Sequence, residues 1–138
     1  MKKLIFAVLV LLTMTSVAQL AQTKSTIIRE LGYDYTSDVA DDGTPFIMYE
    51  TKMQSDASGY YSQFKAIYFF TASTGETLCY MWKIFEPASE TNYNVAWYNK
   101  RYVKIGTTRW KDYATDIVYD IEVKDGICVI TAWLESND

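Results

Sequence analysis

The residues best suited to bind a ligand form a cationic and aromatic stretch in an otherwise acidic chain. Arginine and lysine beside aromatic rings favour contact with a carboxylate, a sulfated sugar or an acidic protein surface. The stretch also fits an ordinary helix end, where cations favour the C-terminus and long side chains cover apolar surface. The candidate binding residues, with one tryptophan added from the last strand, are Trp97, Tyr98, Lys100, Arg101, Tyr102, Arg109, Trp110 and Trp133.

The chain contains no histidine, which removes most familiar enzyme sites. Ser–His and Cys–His nucleophilic pairs and nearly all catalytic zinc sites depend on imidazole. A pair of carboxylates flanking a cleft, as in glycoside hydrolysis, is the remaining option. The solvated face of an antiparallel strand explains the same spacing without a cleft, so we expect no enzyme activity and no cofactor. The carboxylates in question are Asp112, Asp116, Asp120 and Glu122.

An aspartate-rich segment from Asp34 to Gly43 could supply oxygen ligands to a calcium ion. Its spacing does not match that of an EF-hand loop. Short polar side chains of this kind are also typical of ordinary turns. We therefore predict a loop without a bound metal.

Aromatic residues are frequent, with 12 Tyr, 4 Trp and 6 Phe in the chain. Most of these rings are expected in the core or in cross-strand pairs, but a small domain cannot bury all of them. Aromatic rings with a polar tip are favoured at binding surfaces. Exposed rings are expected among Tyr60, Tyr61, Trp97, Trp110 and Trp133.

The first 18 residues have the pattern of a secretory signal peptide: two lysines, an apolar stretch from Leu4 to Leu12, and then small residues. The apolar stretch is well short of the roughly 20 residues that span a bilayer. Cleavage is predicted after Ala18, with a site near Ala21 as the alternative, and no cysteine lies near the junction to carry a lipid. We expect a bacterial protein that is periplasmic or secreted, not a lipoprotein, with residues 19–138 as a single domain.

The acidic balance of the chain restricts its partners. The formal charge is −4, and loss of the signal peptide would make it two units more negative because two lysines and no acidic residue are removed. An acidic domain is a poor candidate for binding nucleic acid or anionic lipid. A protein, a peptide or a carbohydrate is the expected partner, and a homo-oligomer is an open alternative.

The two cysteines, Cys79 and Cys128, both lie inside apolar runs. An oxidising destination permits a disulfide bond between them. Pairing needs Cα atoms within about 7 Å, a distance that the sequence does not supply. A disulfide and two separately buried thiols are therefore equally open.

Hydrophobic periodicity and turn residues predict two helices. The first covers Thr23–Gly32, with hydroxyl residues at its start and glycine at its end. The second covers about residues 90–102. Between the first helix and the first strand, Tyr33–Pro45 is predicted to be an acidic loop.

Segments rich in β-branched and aromatic residues predict an antiparallel sheet. The clearest strand is Thr115–Lys124, and the Asp125–Gly126 turn after it predicts that Val123 lies opposite Cys128. A turn at Gly75 predicts a second hairpin, in which Phe64, Ala66, Tyr68 and Phe70 lie opposite Ile84, Trp82, Tyr80 and Leu78. The other predicted strands are Phe46–Thr51, Tyr60–Thr71, Glu76–Phe85 and a short extended piece at Thr107–Tyr113.

Together these elements predict an α+β fold, an antiparallel sheet of five to six strands with two helices in the order α-β-β-β-α-β-β(-β). A lipocalin-like all-β barrel is the alternative. The order resembles that of the small α+β folds of secretion chaperones, but it is shared without any motif and implies no function. The leading hypothesis is an exported, non-enzymatic binding module that uses an aromatic surface. A carboxylate-dependent hydrolase and a structural or assembly component without a small ligand are the alternatives.

Overall fold

A computed structural model describes residues 19–135 of the chain. The predicted signal peptide at residues 1–18 lies outside the described residues. Helix α1 is Lys24–Leu31 and helix α2 is Thr91–Arg101. Strands β1 to β8 are Thr36–Val39, Pro45–Ser55, Gly59–Thr71, Thr77–Pro87, Val103–Lys104, Arg109–Asp112, Ile117–Lys124 and Ile127–Leu134.

All eight strands belong to one antiparallel sheet in the order β1-β2-β3-β4-β8-β7-β6-β5. The prediction of an antiparallel sheet with two helices is confirmed in this coarse form. The sheet is open, because β1 and β5 are its two edges and no ladder joins them within residues 19–135. The barrel alternative is therefore wrong.

The predicted number of strands is too low. Strand β1 has four residues, all exposed, within the segment that we expected to be an acidic loop. Strand β5 has two residues, also exposed. Neither edge strand buries a side chain, so neither has the alternating apolar pattern by which a strand is recognised.

The hairpin of β7 and β8 has the predicted register. Val123 lies opposite Cys128 and Ile121 lies opposite Ile130. Asp125 and Gly126 adopt φ values of 53° and 77°, which a two-residue turn between right-twisted strands requires. The aspartate-glycine pair therefore fixes which side chains of both strands enter the core.

The hairpin of β3 and β4 departs from the predicted register. Phe70 lies opposite Leu78 as predicted, but Tyr68 lies opposite Met81 and Ala66 opposite Lys83. The register shifts between Tyr68 and Phe69, and β4 accommodates the shift with one extra residue. Such a bulge moves every later side chain to the other face of the sheet.

One face of the sheet, which we call the inner face, is covered by both helices. Ile27 of α1 and Tyr98 of α2 belong to the same buried cluster as Ile67, Trp82 and other inner-face residues. The opposite, outer face carries no helix among the described residues. Neither helix of residues 19–135 has the length and apolar character needed to cross a bilayer.

Candidate functional site

Two of the predicted binding aromatics, Tyr98 and Trp110, are core residues. Trp110 is 1% exposed, and its indole nitrogen donates a 2.8 Å hydrogen bond to Asn99 Oδ1. Tyr98 is also buried, and burial raises the pKa of its phenol well above the ordinary value. The expectation of an exposed Trp110 ring is wrong, and neither ring is open to a partner in this structure.

These two rings belong to an aromatic cluster between α2 and the inner face. Tyr102 stacks on Tyr119 with ring centres 4.8 Å apart, and Tyr119 lies 6.1 Å from Trp82. Trp97 and Tyr102 are half-buried and form the accessible edge of the cluster. Most of the aromatic residues near the second helix therefore stabilise the core. The cluster consists of Trp82, Trp97, Tyr98, Tyr102, Trp110 and Tyr119.

The predicted cations do not converge on one site. The guanidinium carbon of Arg101 lies 3.9 Å from the ring centre of Trp97 on α2. Arg109 on β6 lies 5.3 Å from the ring centre of Trp133, and Lys100 is exposed. The basic stretch is thus divided between α2 and the outer face of the sheet. Trp133 is half-buried on that face opposite Val118, as predicted.

A hollow of about 390 Å³ between α2 and the edge of β7 is lined by two of the predicted carboxylates, Asp120 and Glu122. Asp120 Oδ1 accepts hydrogen bonds from Thr108 Oγ1 at 3.0 Å and from Arg109 Nε at 3.2 Å. This oxygen therefore links β7 to the start of β6. The other two predicted carboxylates, Asp112 and Asp116, do not line the hollow.

Two carboxylates of the aspartate-rich segment bond to backbone nitrogens close to them in the chain. Asp42 Oδ1 accepts a 2.9 Å hydrogen bond from the Thr44 backbone nitrogen, and hydrogen bonds from Thr44 lower the pKa of Asp42. Asp38 Oδ1 accepts one from the Val39 nitrogen at 2.8 Å. Within residues 19–135, no group of three or more His, Cys, Asp or Glu side chains is placed to hold a metal ion.

Two buried glutamates that sequence reasoning missed lie where β4 meets α2. Glu86 is 7% exposed and Glu90 is 4% exposed. Tyr61 Oη donates a 2.8 Å hydrogen bond to Glu86 Oε2, and Asn94 Nδ2 donates one of 3.3 Å to Oε1. Burial, followed by the Glu86 hydrogen bond, raises the pKa of Tyr61. Side chains alternate between the two faces along β4, so the inward-facing Trp82 predicts that Glu86 also faces inward. The hydrogen-bond partners of Glu86 lie in other segments of the chain, and this alternation does not predict them.

The two cysteines are free thiols in the structure, and both are buried. Cys128 lies opposite Glu86 on β4, and Glu86 is seven residues from Cys79 along the same strand. At about 3.3 Å per residue this separates the two cysteines by about 23 Å. The disulfide alternative would need Cα atoms within about 7 Å, so it is incompatible with this register.

Tyr80 is a bulge residue of β4, at the point where the pairing of β4 with β8 ends. The register with β3 skips Tyr80 between Cys79 and Met81, and the register with β8 begins only at Met81. Beyond this point the N-terminal segment takes the place of β8, since the Ala21 nitrogen donates a 2.8 Å hydrogen bond to the Cys79 carbonyl. The sheet ladder is thus irregular around the half-buried Tyr80, and bulges of this kind often redirect a side chain.

An apolar hollow of about 410 Å³ opens at this bulge, and we call it the Tyr80 hollow. None of its eight lining residues carries a charge. Phe70, which is 45% exposed, packs edge-on against Tyr80 with ring centres 6.0 Å apart. A second hollow of about 490 Å³ shares the same two rings. The Tyr80 hollow is lined by Ala21, Phe70, Leu78, Cys79, Tyr80, Met81, Trp133 and Leu134.

A lysine lies on the inner face, where a cation is unexpected. Lys65 is opposite Tyr49 of β2 and Ile84 of β4, and its Nζ atom lies 4.8 Å from the ring centre of Trp82. Burial lowers the pKa of Lys65 from 10.5 to about 7. The side chains around it on the same face are mostly apolar, so the Lys65 amine is a second candidate group for binding a ligand.

No protein-family model, no curated protein and no solved structure matches this chain. A functional proposal for it therefore depends on the chemistry of its own surface.

Proposed function

We propose that this protein is an exported, non-enzymatic binding module that holds an extended peptide or protein segment by an apolar side chain in the Tyr80 hollow. The observation that carries this proposal is the hollow itself, which is uncharged and lies at the bulge where the pairing of β4 with β8 ends. Its volume of about 410 Å³ is within the range of ligand-binding pockets, roughly 300–1,000 Å³.

The lining favours an apolar side chain over a sugar ring. Sugars present many hydroxyl groups, which need placed polar partners when they are desolvated. The lining residues carry few polar side-chain groups, namely the Tyr80 hydroxyl, the Trp133 indole N–H and the Cys79 thiol, and the other side chains are apolar. Burial of apolar surface is therefore the main driving force for binding here, with the aromatic rings as anchors.

The charges around the hollow favour a segment with acidic residues beside its apolar anchor. Arg109, which also pairs with Asp120, lies over Trp133, which lines the hollow. Lys83 lies 6.0 Å from the ring centre of Tyr68 on the same outer face. A second copy of this chain is disfavoured as the occupant, because the formal charge of −4 makes two copies repel each other.

Selection from a random peptide library displayed on phage, followed by affinity measurement on synthetic peptides, tests the proposal. We expect enriched peptides to share one large apolar residue with acidic neighbours. Tyr80→Ser should weaken their binding at least about tenfold, since anchor residues of this kind contribute 2 kcal/mol or more. Phe64→Ser is the matched control, because Phe64 is a 36% exposed aromatic residue in the same strand as Phe70.

Three outcomes would contradict the proposal. Enrichment of no sequence would show that the hollow binds no peptide. Equal loss of binding in Tyr80→Ser and Phe64→Ser would place the contact elsewhere on the outer face. A concentration-dependent dimer that Tyr80→Ser abolishes would instead favour the structural or assembly role.

The second candidate is a carboxylate-dependent hydrolase, favoured by the hollow that Asp120 and Glu122 share. The engagement of Asp120 Oδ1 by Thr108 and Arg109 makes this candidate weaker, because that oxygen is already bonded. It predicts hydrolysis of aryl glycosides by the wild-type protein and loss of that hydrolysis in Glu122→Gln. Absence of hydrolysis across a panel of aryl glycosides would reject the glycosidase form of this candidate.

A further inference from the structure

The ammonium group of Lys65 has no anionic partner among residues 19–135. Four ion pairs are formed in this part of the chain, and none includes Lys65. The contact that it does make is with the π face of Trp82 at 4.8 Å. A half-buried cation without a carboxylate is unusual, because such groups are normally paired or hydrogen-bonded.

The indole N–H of Trp82 is a second unsatisfied donor at the same place. Trp82 is 1% exposed, and its Nε1 atom is buried without a hydrogen-bond acceptor in the described chain. Buried indole nitrogens usually find a partner. The Lys65 ammonium group therefore lies over the same ring whose indole N–H has no acceptor.

The groups that face Lys65 supply no anion at neutral pH. Tyr49 on β2 has its pKa raised to about 12 by burial, and Cys79 on β4 has its pKa raised to about 11 by burial. Burial also raises the pKa of Tyr119 on β7. On α1, Lys24 lies over the ring of Phe69 and is a further cation. On the same face of β4, the Glu86 carboxylate accepts hydrogen bonds from Tyr61 and Asn94, and the Tyr119 hydroxyl is buried without a partner. The site therefore has donors and positive charge, and no carboxylate of residues 19–135 is paired with Lys65.

We propose that Lys65 and Trp82 form a binding site for the carboxylate of a ligand with an apolar body. The carboxylate would accept from the ammonium group and the indole N–H, which are the two groups that lack acceptors. The half-buried inner-face side chains of Tyr49 and Ile84, which lie opposite Lys65, would contact the apolar body. This site is on the face opposite the outer-face rings of the Tyr80 hollow and does not depend on the proposed peptide binding.

A free aliphatic acid and the C-terminal carboxylate of an apolar peptide offer the same chemistry. Calorimetric titration with sodium decanoate, with decanol at matched concentration, tests the first source. Titration with an apolar tripeptide that has either a free or an amidated C-terminus tests the second. We expect binding by at least one of the two carboxylates and at least about tenfold weaker binding of its neutral counterpart, because hydrogen bonds to charged groups contribute roughly 1.5–3 kcal/mol.

Variants then assign the binding to this site. Lys65→Met keeps the apolar length of the side chain and should lose at least about tenfold in affinity, while Trp82→Phe should lose less. Lys124→Met, at the exposed end of β7, is the control and should bind as the wild type does. Tyr80→Ser should also bind normally, so failure of the peptide proposal and failure of this one are distinguishable.

The pH dependence gives an independent readout. Because the pKa of Lys65 is about 7 in the free protein and a bound carboxylate raises it, affinity should be highest below pH 7 and fall as the pH rises above it. Binding at pH 8 should therefore take up protons from the buffer. Equal affinity of Lys65→Met and wild type, or binding of neither carboxylate at pH 6, would overturn the proposal.

Discussion

Lys65 Nζ lies 4.8 Å from the centre of the Trp82 ring on the helix-covered face of the sheet. This placement has a cost for folding. A charged ammonium group is less well solvated there than in the unfolded chain, and this difference lowers its pKa.

We predict that Lys65→Met stabilises the protein at pH 6. Below pH 7 both states carry the charge, and only the folded state bears the desolvation cost. Between about 7 and 10.5 the unfolded state binds more protons, so wild-type stability rises with pH and the advantage of the variant shrinks. The gain at pH 6 should be about 1–3 kcal/mol, less than the full shift implies because the side chain reaches solvent.

Urea unfolding of wild type, Lys65→Met and the control Lys124→Met at pH 6, 8 and 10 measures this effect. A variant that is less stable than wild type at pH 6 would show that Lys65 has a favourable partner. A difference that stays constant with pH would show that Lys65 does not titrate in this range.

Trp110→Ala should cost about 3–5 kcal/mol of unfolding free energy, because it empties a fully buried site and removes the hydrogen bond to Asn99. Arg109→Ala should cost less than about 1 kcal/mol, because Arg109 is the exposed partner of its ion pair with the half-buried Asp120. Thermal unfolding of the two single variants checks the contrast. Similar costs for both would mean that the aromatic cluster is not part of the core.

Cys79→Ser and Cys128→Ser should each destabilise by about 1–3 kcal/mol, since each places a hydroxyl group at a buried position. The costs should be additive, because the residues lie at distant points of the sheet. Reductant should leave the melting temperature of the wild type unchanged. A drop in melting temperature on reduction would reveal a disulfide and refute the β4–β8 register.

The exported form should begin at Gln19. Gln19 and Leu20 are buried, and Ala21 bonds to Cys79 beside the Tyr80 hollow, so cleavage after Ala21 would remove core contacts that cleavage after Ala18 retains. Intact mass of the protein recovered from the periplasm or medium after expression in a Gram-negative host decides between the sites. A mass that includes residues 1–18 would contradict export with processing.

The elements with strong local signals were predictable. Thr23 caps α1 through its side chain, Gly32 has a φ of 99°, and Asp125–Gly126 closes its hairpin in the predicted register. These features depend on residues within a few positions of each other. Local sequence patterns are therefore sufficient to predict them.

The Tyr80 hollow and the Lys65 site were not predictable, because a single bulge in β4 decides which side chains of β3 and β4 share a face. Without the shift at Tyr80, Lys65 and Lys83 would share one face of the sheet. The structure instead places Lys65 opposite Ile84 on the inner face and Lys83 opposite Ala66 on the outer face. The bulge lies where β8 and the N-terminal segment meet β4, and no residue pattern within β3 or β4 reports that contact.

The most direct test of the proposed function is chemical-shift mapping of the best selected peptide on ¹⁵N-labelled protein. We predict that the largest changes fall on the Trp133 indole N–H and on the backbone amides of Phe70, Tyr80 and Met81, which surround the Tyr80 hollow. Largest changes at Lys65 and Trp82, or at Asp120 and Glu122, with none around Tyr80, would contradict the proposal that this hollow is the peptide-binding surface.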